Sequence, residues 1–168
     1  MSANTGSPPS RDFVTTHLIK LDISTQEKVL DQILEDFGFD LDSCMGKNHL
    51  SLYQRFEKIH LIPNRYLQQF FHLPFEHIGI QLGQWNDECF EPSLPFISRF
   101  GHQFTRGMFK LKDEEVKLWT QGRDIRQPET DLIANGQFLM VTDCEGRNLG
   151  LGKLLPKRLR NLLPRQLF

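Results

Sequence analysis

A glycine-bearing hairpin near the C-terminus constrains the fold of this chain more than any other sequence feature. An apolar run at residues 138–141 leads into a turn-forming segment at 143–147, and a second apolar run follows at 149–153. The second run contains Gly150 and Gly152. Glycine within a strand marks a place where the backbone bends or is approached closely. The pattern therefore predicts two antiparallel strands joined by a tight turn.

Positive charge is concentrated at and behind this hairpin. The whole chain has a formal net charge of −1, but from Glu145 to the end that one acid stands against six cations: Arg147, Lys153, Lys157, Arg158, Arg160 and Arg165. Leucines alternate with these cations, so the charged side chains should point outward together. We predict that Lys153, Lys157, Arg158 and Arg160 form one exposed cationic face without acid partners. Such a face suits the phosphate backbone of a nucleic acid.

The order and spacing of several short motifs resemble a known family. They are Gly122-Arg-Asp-Ile, a hydrophobic strand ending Val141-Thr, the turn and strand Gly146-Arg-Asn-Leu-Gly-Leu-Gly-Lys, and a closing Leu159-Arg-Asn-Leu-Leu-Pro-Arg. Together they resemble the PUA-like RNA-binding domain at the C-terminus of Sun-family rRNA (cytosine-5) methyltransferases. Arg160 stands where that family usually has Lys, which keeps the charge but changes the hydrogen-bond geometry. The resemblance covers roughly residues 26–168 and is strongest after Ile78.

The preceding part of the chain alternates between helical and strand patterns. Apolar residues at 29, 30, 33, 34 and 37 predict a helix at 26–37 that ends at Gly38. Strands are predicted at 50–53, 58–62 and 78–83, and further helices at 66–71, 94–101 with Ser93 as N-cap, and 111–121. We therefore predict an α+β protein in which an α/β half precedes a small mixed-β half. The resemblance implies that this second half is a PUA-like barrel. The predicted divisions are a disordered tail at 1–20, an α/β domain at 21–84 and a PUA-like domain at 85–168.

The residues needed for methyl transfer are not recognisable in this sequence. The resemblance implies a Gly-rich S-adenosylmethionine loop and two catalytic cysteines, one of them after proline, for an active enzyme. None of Cys44, Cys89 and Cys144 follows proline, and none belongs to a Cys-x-x-Cys pair. The glycines at 146–152 do not have the spacing of a P-loop. We predict no catalytic residue, no cofactor and no bound metal, and a reducing, cytoplasmic location.

Three functional hypotheses remain open, the last of which is that the chain is an enzyme of its own. In the first, the chain is a non-catalytic RNA-binding protein that acts on structured rRNA as a ribosome-assembly or rRNA-modification accessory, with a ribosomal particle as a further partner. In the second, the Phe-rich N-terminal half docks on a separate RNA methyltransferase chain. No apolar run approaches the roughly 18 residues of a membrane span, so a membrane partner is not expected. The predicted RNA-binding residues are Trp85, Arg147, Gly150, Gly152, Lys153, Lys157, Arg158, Arg160 and Arg165.

Two of these assignments have a structural alternative. Gly150 and Gly152 fit hairpin geometry alone as well as close approach by an RNA backbone. Trp85, beside a predicted turn, could stack on a base or pack in the core.

Overall fold

The computed structural model describes residues 18–70, 78–86, 89–126 and 136–164. The helices in these ranges are α1 (Ile23–Phe37), α2 (Leu41–Asn48), α3 (Asn64–Phe70), α4 (Leu94–Phe100), a 3-10 helix (Gly101–Gln103) and α5 (Asp113–Thr120). The strands are β1 (Ile19–Lys20), β2 (Leu50–Arg55), β3 (Lys58–Pro63), β4 (Ile80–Asn86), β5 (Cys89–Pro92), β6 (Met108–Lys110), β7 (Ile125–Arg126), β8 (Phe138–Thr142), β9 (Asn148–Leu155) and β10 (Arg158–Asn161). Across the described ranges, each helix is too short or too polar to cross a bilayer.

The strands form two five-stranded sheets. The first has the order β1-β2-β3-β4-β5 and is antiparallel throughout. The second has the order β6-β8-β9-β10-β7, in which β6 runs parallel to β8 and the other neighbours are antiparallel. This arrangement confirms the predicted α+β class and the mixed sheet in the C-terminal half. It also shows that the leucine-interleaved basic segment forms a strand, β10.

Local sequence signals define α1. The Asp22 side chain accepts a hydrogen bond from the Thr25 N–H at 3.0 Å, which satisfies a donor that the first helical turn leaves unpaired. Gly38 ends the helix in the left-handed conformation, with φ 62, and donates its N–H to the Leu34 carbonyl. The buried face consists of Val29, Ile33 and Phe37. The predicted helix is thus confirmed, and it begins three residues earlier than expected because Asp22 is the N-cap.

An aromatic cluster joins the two halves of the molecule. The ring of Phe37 lies 4.7 Å from that of Phe104 and 5.8 Å from that of Phe96, measured between centroids. The same core takes in Phe138 and Met140 from β8, so the second sheet packs directly against the first half. A smaller second core surrounds Trp119, which is fully buried. The Phe-rich composition is therefore used largely for internal packing.

Two predicted divisions of the chain differ from the structure. Residues 1–17 of the predicted tail lie outside the described residues, but Ile19 and Lys20 form β1 and pair with β2. The division placed between residues 84 and 85 falls inside β4, whose partner β5 extends the first sheet to Pro92. The change from the first sheet to the second therefore comes after Pro92. The sequence did not show this because β5 is short and its pairing is visible only in three dimensions.

His60 gives the fold a predicted pH dependence. Its ring is buried, Nδ1 donates to the Ile78 carbonyl at 3.1 Å, and no described residue hydrogen-bonds to Nε2. Burial lowers the pKa of His60, and the charges of Arg55 and Lys58 add to this effect while the hydrogen bond to Ile78 opposes it. The His60 side chain therefore takes up a proton at a higher pH in the unfolded chain than in the folded chain. We expect the free energy of unfolding to fall as the pH decreases below about 6.5, the ordinary pKa of histidine.

Denaturant unfolding between pH 8 and pH 5 measures this effect. The decrease in stability should be smaller in His60→Gln than in the parent, while His102→Gln, which changes an exposed histidine, should follow the parent. An identical pH dependence in the parent and His60→Gln would show that His60 does not couple folding to protonation.

Candidate nucleic-acid interface

The second sheet carries the candidate site on the hairpin of β8 and β9 and its continuation into β10. A side-chain cap holds the first turn, because Asp143 Oδ1 accepts the N–H groups of Glu145 at 3.0 Å and Arg147 at 2.8 Å. Gly146 supplies the positive φ of 81 that this turn needs. The second turn is two residues long, since Arg158 pairs directly with Leu155. These short connections fix the register of three adjacent strands.

The register brings four cationic side chains to one side of the sheet. Lys153 in β9 is directly opposite Arg160 in β10, and Arg158 is directly opposite Arg126 in β7. Residues that face each other across a ladder share a side, as do residues two apart in one strand. The four side chains therefore form one surface, which we call the cationic face and which consists of Arg126, Lys153, Arg158 and Arg160. Lys157, in the turn between β9 and β10, is exposed beside it.

The reverse side of these strands is apolar and explains why the charges point outward. Leu154 is 2% exposed, Leu159 is fully buried and Ile125 is 3% exposed, and all three pack in the core around Trp119. Burying these side chains fixes which side of the sheet meets solvent. The alternation of leucine with basic residues is thus the alternation of an amphipathic strand.

Two members of the cationic face have acidic partners. Lys153 Nζ lies 3.7 Å from Glu91 Oε1 and 4.5 Å from the centroid of the Phe138 ring. Arg158 Nη1 lies 3.1 Å from Asp124 Oδ2. The prediction that these cations lack acid partners is therefore wrong for Lys153 and Arg158. Both acids come from segments distant in sequence, so the basic composition of the C-terminus did not reveal them.

Three further cations on or beside the face have no acid partner among the described residues. In the described part of the chain, Arg126, Lys157 and Arg160 have no ion pair and no side-chain hydrogen bond. The Arg158 side chain is 54% exposed despite its partner. Exposed ion pairs of this kind contribute little to stability, so an incoming anion can replace the carboxylate at small cost. The surface can therefore meet a phosphate with several donors.

Arg147 belongs to a different part of the sheet. It pairs with Asp143 and Glu145 just before β9, whereas Lys153 lies toward the end of that strand. The six-residue step from Arg147 to Lys153 corresponds to about 20 Å of extended chain. Although burial opposes ionisation, hydrogen bonds from Arg147 hold the pKa of Asp143 below its usual value, so the pair is charged at neutral pH. Arg165 lies outside the described residues.

The two glycines predicted to admit RNA are required by internal packing. Gly150 and Gly152 are buried. A Cβ on Gly150 would meet Leu163 Cδ2, and one on Gly152 would lie 3.0 Å from both Leu159 and Trp119. Side chains of the protein itself occupy the space beside them. We therefore leave both glycines out of the proposed interface.

Trp85 lies apart from the cationic face. It pairs with Phe90, which is fully buried, and packs partly against the first core. Its neighbour Gln84 pairs with Glu91, the residue that contacts Lys153. Since successive residues of a strand point to opposite sides, Trp85 faces away from that contact.

The cysteine in the turn between β8 and β9 is not an activated nucleophile. Cys144 is exposed in the hairpin turn, where a hydrogen bond with Asp113, partial desolvation and the charge of Asp113 raise the pKa of its thiol. A raised pKa keeps the thiol protonated and weakly nucleophilic at neutral pH. In residues 18–70, 78–86, 89–126 and 136–164, no three His, Cys, Asp or Glu side chains are placed to share a metal ion.

Arg126 is the member of the face that the sequence did not predict. It lies more than 25 residues before the other three and follows the Gly122-Arg-Asp-Ile motif. The pairing of β7 with β10 brings it beside Arg158. The sequence signal that could have identified Arg126 is its position directly after a motif already assigned to the C-terminal half of the chain.

A match to a protein-family model falls in this same region of the chain. Residues 107–168 match the family described as the methyltransferase RsmF PUA domain. The chain is 31% identical over 122 residues to ribosomal RNA small subunit methyltransferase F of Psychromonas ingrahamii, an alignment that covers 70% of this chain and 24% of that protein. It is 29% identical over 116 residues to the protein of the same name from Aeromonas salmonicida, with 69% of this chain and 24% of that protein covered.

A third relative matches to the same extent. It is ribosomal RNA small subunit methyltransferase F of Klebsiella pneumoniae, 29% identical over 117 residues, with 70% of this chain and 23% of that protein covered. The chain thus matches about a quarter of the length of each of these relatives. The resemblance predicted from the C-terminal motifs is confirmed: this chain is similar to rRNA methyltransferases, and its residues 107–168 match the family described as the methyltransferase RsmF PUA domain.

Proposed function

We propose that this chain binds structured RNA through the cationic face and Lys157, without carrying out a reaction itself. The observation that supports this most directly is the strand register, which gathers Arg126, Lys153, Arg158 and Arg160 on one side of a sheet. All five strands of that sheet lie within residues 107–168, the segment that matches the RsmF PUA domain.

Phosphate contacts would supply most of the affinity. Three of the four residues of the cationic face are arginines, whose planar guanidinium groups bind phosphate oxygens in pairs. Such contacts position a protein on RNA without reading its sequence. Unrelated structured RNAs should therefore bind with similar affinity, and binding should weaken steeply with salt as condensed counterions are released.

The proposal that the bound RNA is ribosomal rests on the names of the relatives. Their names describe them as methyltransferases of small-subunit ribosomal RNA, and we propose that this chain contacts the same class of RNA as an accessory of ribosome assembly or rRNA modification. A ribosomal particle or a separate methyltransferase would then be its partner. A cytoplasmic location is part of this proposal, since Cys44, Cys89 and Cys144 are all unpaired thiols.

A second candidate function is docking on a separate methyltransferase chain. Three exposed apolar residues in the first half of the molecule support it: Ile19 is 65% exposed, and Ile23 and Phe56 are each 77% exposed. Phe56 also has a φ of 57 at the tip of the hairpin between β2 and β3, a conformation that bulky residues rarely adopt. Apolar docking would depend weakly on salt, in contrast to RNA binding.

The double variant Arg126→Ala/Arg160→Ala tests the proposed RNA interface. Both side chains lie on the cationic face without acid partners in the described structure, so their removal leaves no buried charge behind. Fluorescence anisotropy with two unrelated labelled RNA hairpins should show a similar loss of affinity for both. The slope of log affinity against log salt should flatten by about 0.7–0.9 for each phosphate that the variant no longer neutralises.

Lys28→Ala/Lys117→Ala is the matched control, since it removes the same charge from exposed positions on α1 and α5. It should bind both hairpins nearly as the parent does. If the parent binds neither hairpin, or if the face variant binds like the control, RNA binding through this face is refuted and protein docking becomes the leading hypothesis.

A further inference from the structure

A polar cleft of about 630 Å³ lies between α2 and the segment formed by α4 and the 3-10 helix. It is built from residues 38–48 and 99–103, all of them before the segment that matches the RsmF PUA domain. Its volume falls in the range of about 300–1,000 Å³ that small-molecule sites occupy. The residues that line it are separate from those of the cationic face.

Packing and capping contacts hold the walls of this cleft in place. The rings of Phe39 and Phe100 stack with centroids 5.2 Å apart and an interplanar angle of 27°, and both residues belong to the lining. On the other wall, Asp40 caps α2 by accepting the Ser43 N–H at 2.9 Å. The cleft is therefore shaped by the fold before any ligand arrives.

The side chains that line the cleft offer more donors than acceptors. Four of these side chains make no hydrogen bond or ion pair to any residue that the structure describes, namely those of Lys47, Arg99, His102 and Gln103. Asp40 is the one acid among the described lining residues, and both of its oxygens accept hydrogen bonds from Ser43. Two fixed positive charges and several unused N–H donors thus accompany a carboxylate that is already engaged. This balance favours an anionic ligand rich in acceptor oxygens.

We propose that this cleft holds a phosphate group of the bound RNA, as a second contact in addition to the cationic face. The proposal rests on the RNA-binding function proposed above. Arg99 would contribute a planar pair of N–H donors and Lys47 a compact charge, which are the two common ways in which proteins hold phosphate.

The helix α4 connects the strand beside the cationic face to the cleft. The helix follows β5, in which Glu91 contacts Lys153 of the cationic face, and it ends at the cleft with Arg99 and Phe100. Its seven residues span about 10 Å. A folded RNA of one helical turn is longer than α4, so a single RNA has the length needed to extend from the end of β5 to the cleft.

The double variant Lys47→Ala/Arg99→Ala tests the cleft, with the same labelled RNA hairpins and Lys28→Ala/Lys117→Ala as the control of equal charge change. We expect the cleft variant to bind about tenfold more weakly than the control, with a salt slope reduced by up to about 1.8 if each side chain neutralises one phosphate. Circular dichroism should show the parental fold, because both side chains are exposed and unpaired in the described structure.

An NMR titration with inorganic pyrophosphate separates RNA from a small phosphate compound as the ligand. If RNA affinity falls in the cleft variant but not in the control, and RNA shifts the amide signals of residues 43–48 and 99–103, the proposal is supported. If pyrophosphate shifts those signals while the cleft variant binds RNA like the control, the cleft serves a free phosphate compound and the proposal fails. A third outcome is that Arg126→Ala/Arg160→Ala binds RNA more weakly than the parent, while the cleft variant binds RNA as tightly as the control. In that case the cleft proposal fails and the proposed RNA-binding function is still supported.

Discussion

Replacing Trp119 by Ala should lower the free energy of unfolding by about 3–5 kcal/mol, the usual cost of deleting a large buried aromatic side chain. Trp119 is fully buried in the second core, where α5 packs against the β9–β10 strands. Its indole N–H donates to the Leu149 carbonyl at 3.0 Å, so the change also removes a hydrogen bond to β9. Denaturant unfolding followed by circular dichroism measures the decrease directly.

Trp119→Phe is the matched variant, because it keeps most of the apolar volume and removes the N–H donor. It should cost less than Trp119→Ala, with about 1–3 kcal/mol attributable to the unsatisfied Leu149 carbonyl. A decrease below about 1 kcal/mol in Trp119→Ala would contradict the packing described for the second core, given the usual cost of such a deletion.

Gly150→Ala should be the second strongly destabilising substitution, at about 2–5 kcal/mol from backbone strain and overpacking together. Gly150 has a φ of 114, which L residues with a side chain rarely adopt, and a new Cβ would meet Leu163 Cδ2. The added methyl group must therefore displace Leu163 and strain β9 at the same time. Thermal and denaturant unfolding should both detect the change.

Gly146→Ala isolates the backbone contribution to this effect. Gly146 also has a positive φ, of 81, but no described atom beyond its chain neighbours lies within 4 Å of the place where its Cβ would be. The cost there should be the conformational part alone, about 1–2 kcal/mol. Equal decreases in Gly150→Ala and Gly146→Ala would show that Leu163 yields without cost, and that packing does not explain the glycine at 150.

The amino-acid sequence by itself determined the elements whose signals are local. The helix α1 follows from its apolar spacing and from Gly38, and α4 follows from Ser93, whose hydroxyl accepts the Phe96 N–H. The β8–β9 hairpin follows from two apolar runs around a turn that Asp143 and Gly146 stabilise. Each of these signals acts over a few residues, so the helix or strand can be recognised from the sequence without knowledge of what packs against that element.

The tertiary structure alone decided which charges share a surface and which are neutralised. Arg126 joins Arg158 through strand pairing, while Glu91 and Asp124 reach Lys153 and Arg158 from distant segments. The cleft that holds Lys47 and Arg99 likewise exists only because α2 and α4 pack near each other. Non-local pairing depends on the combined burial of many apolar side chains, and the charges are carried to their positions by that burial rather than by any pattern of their own.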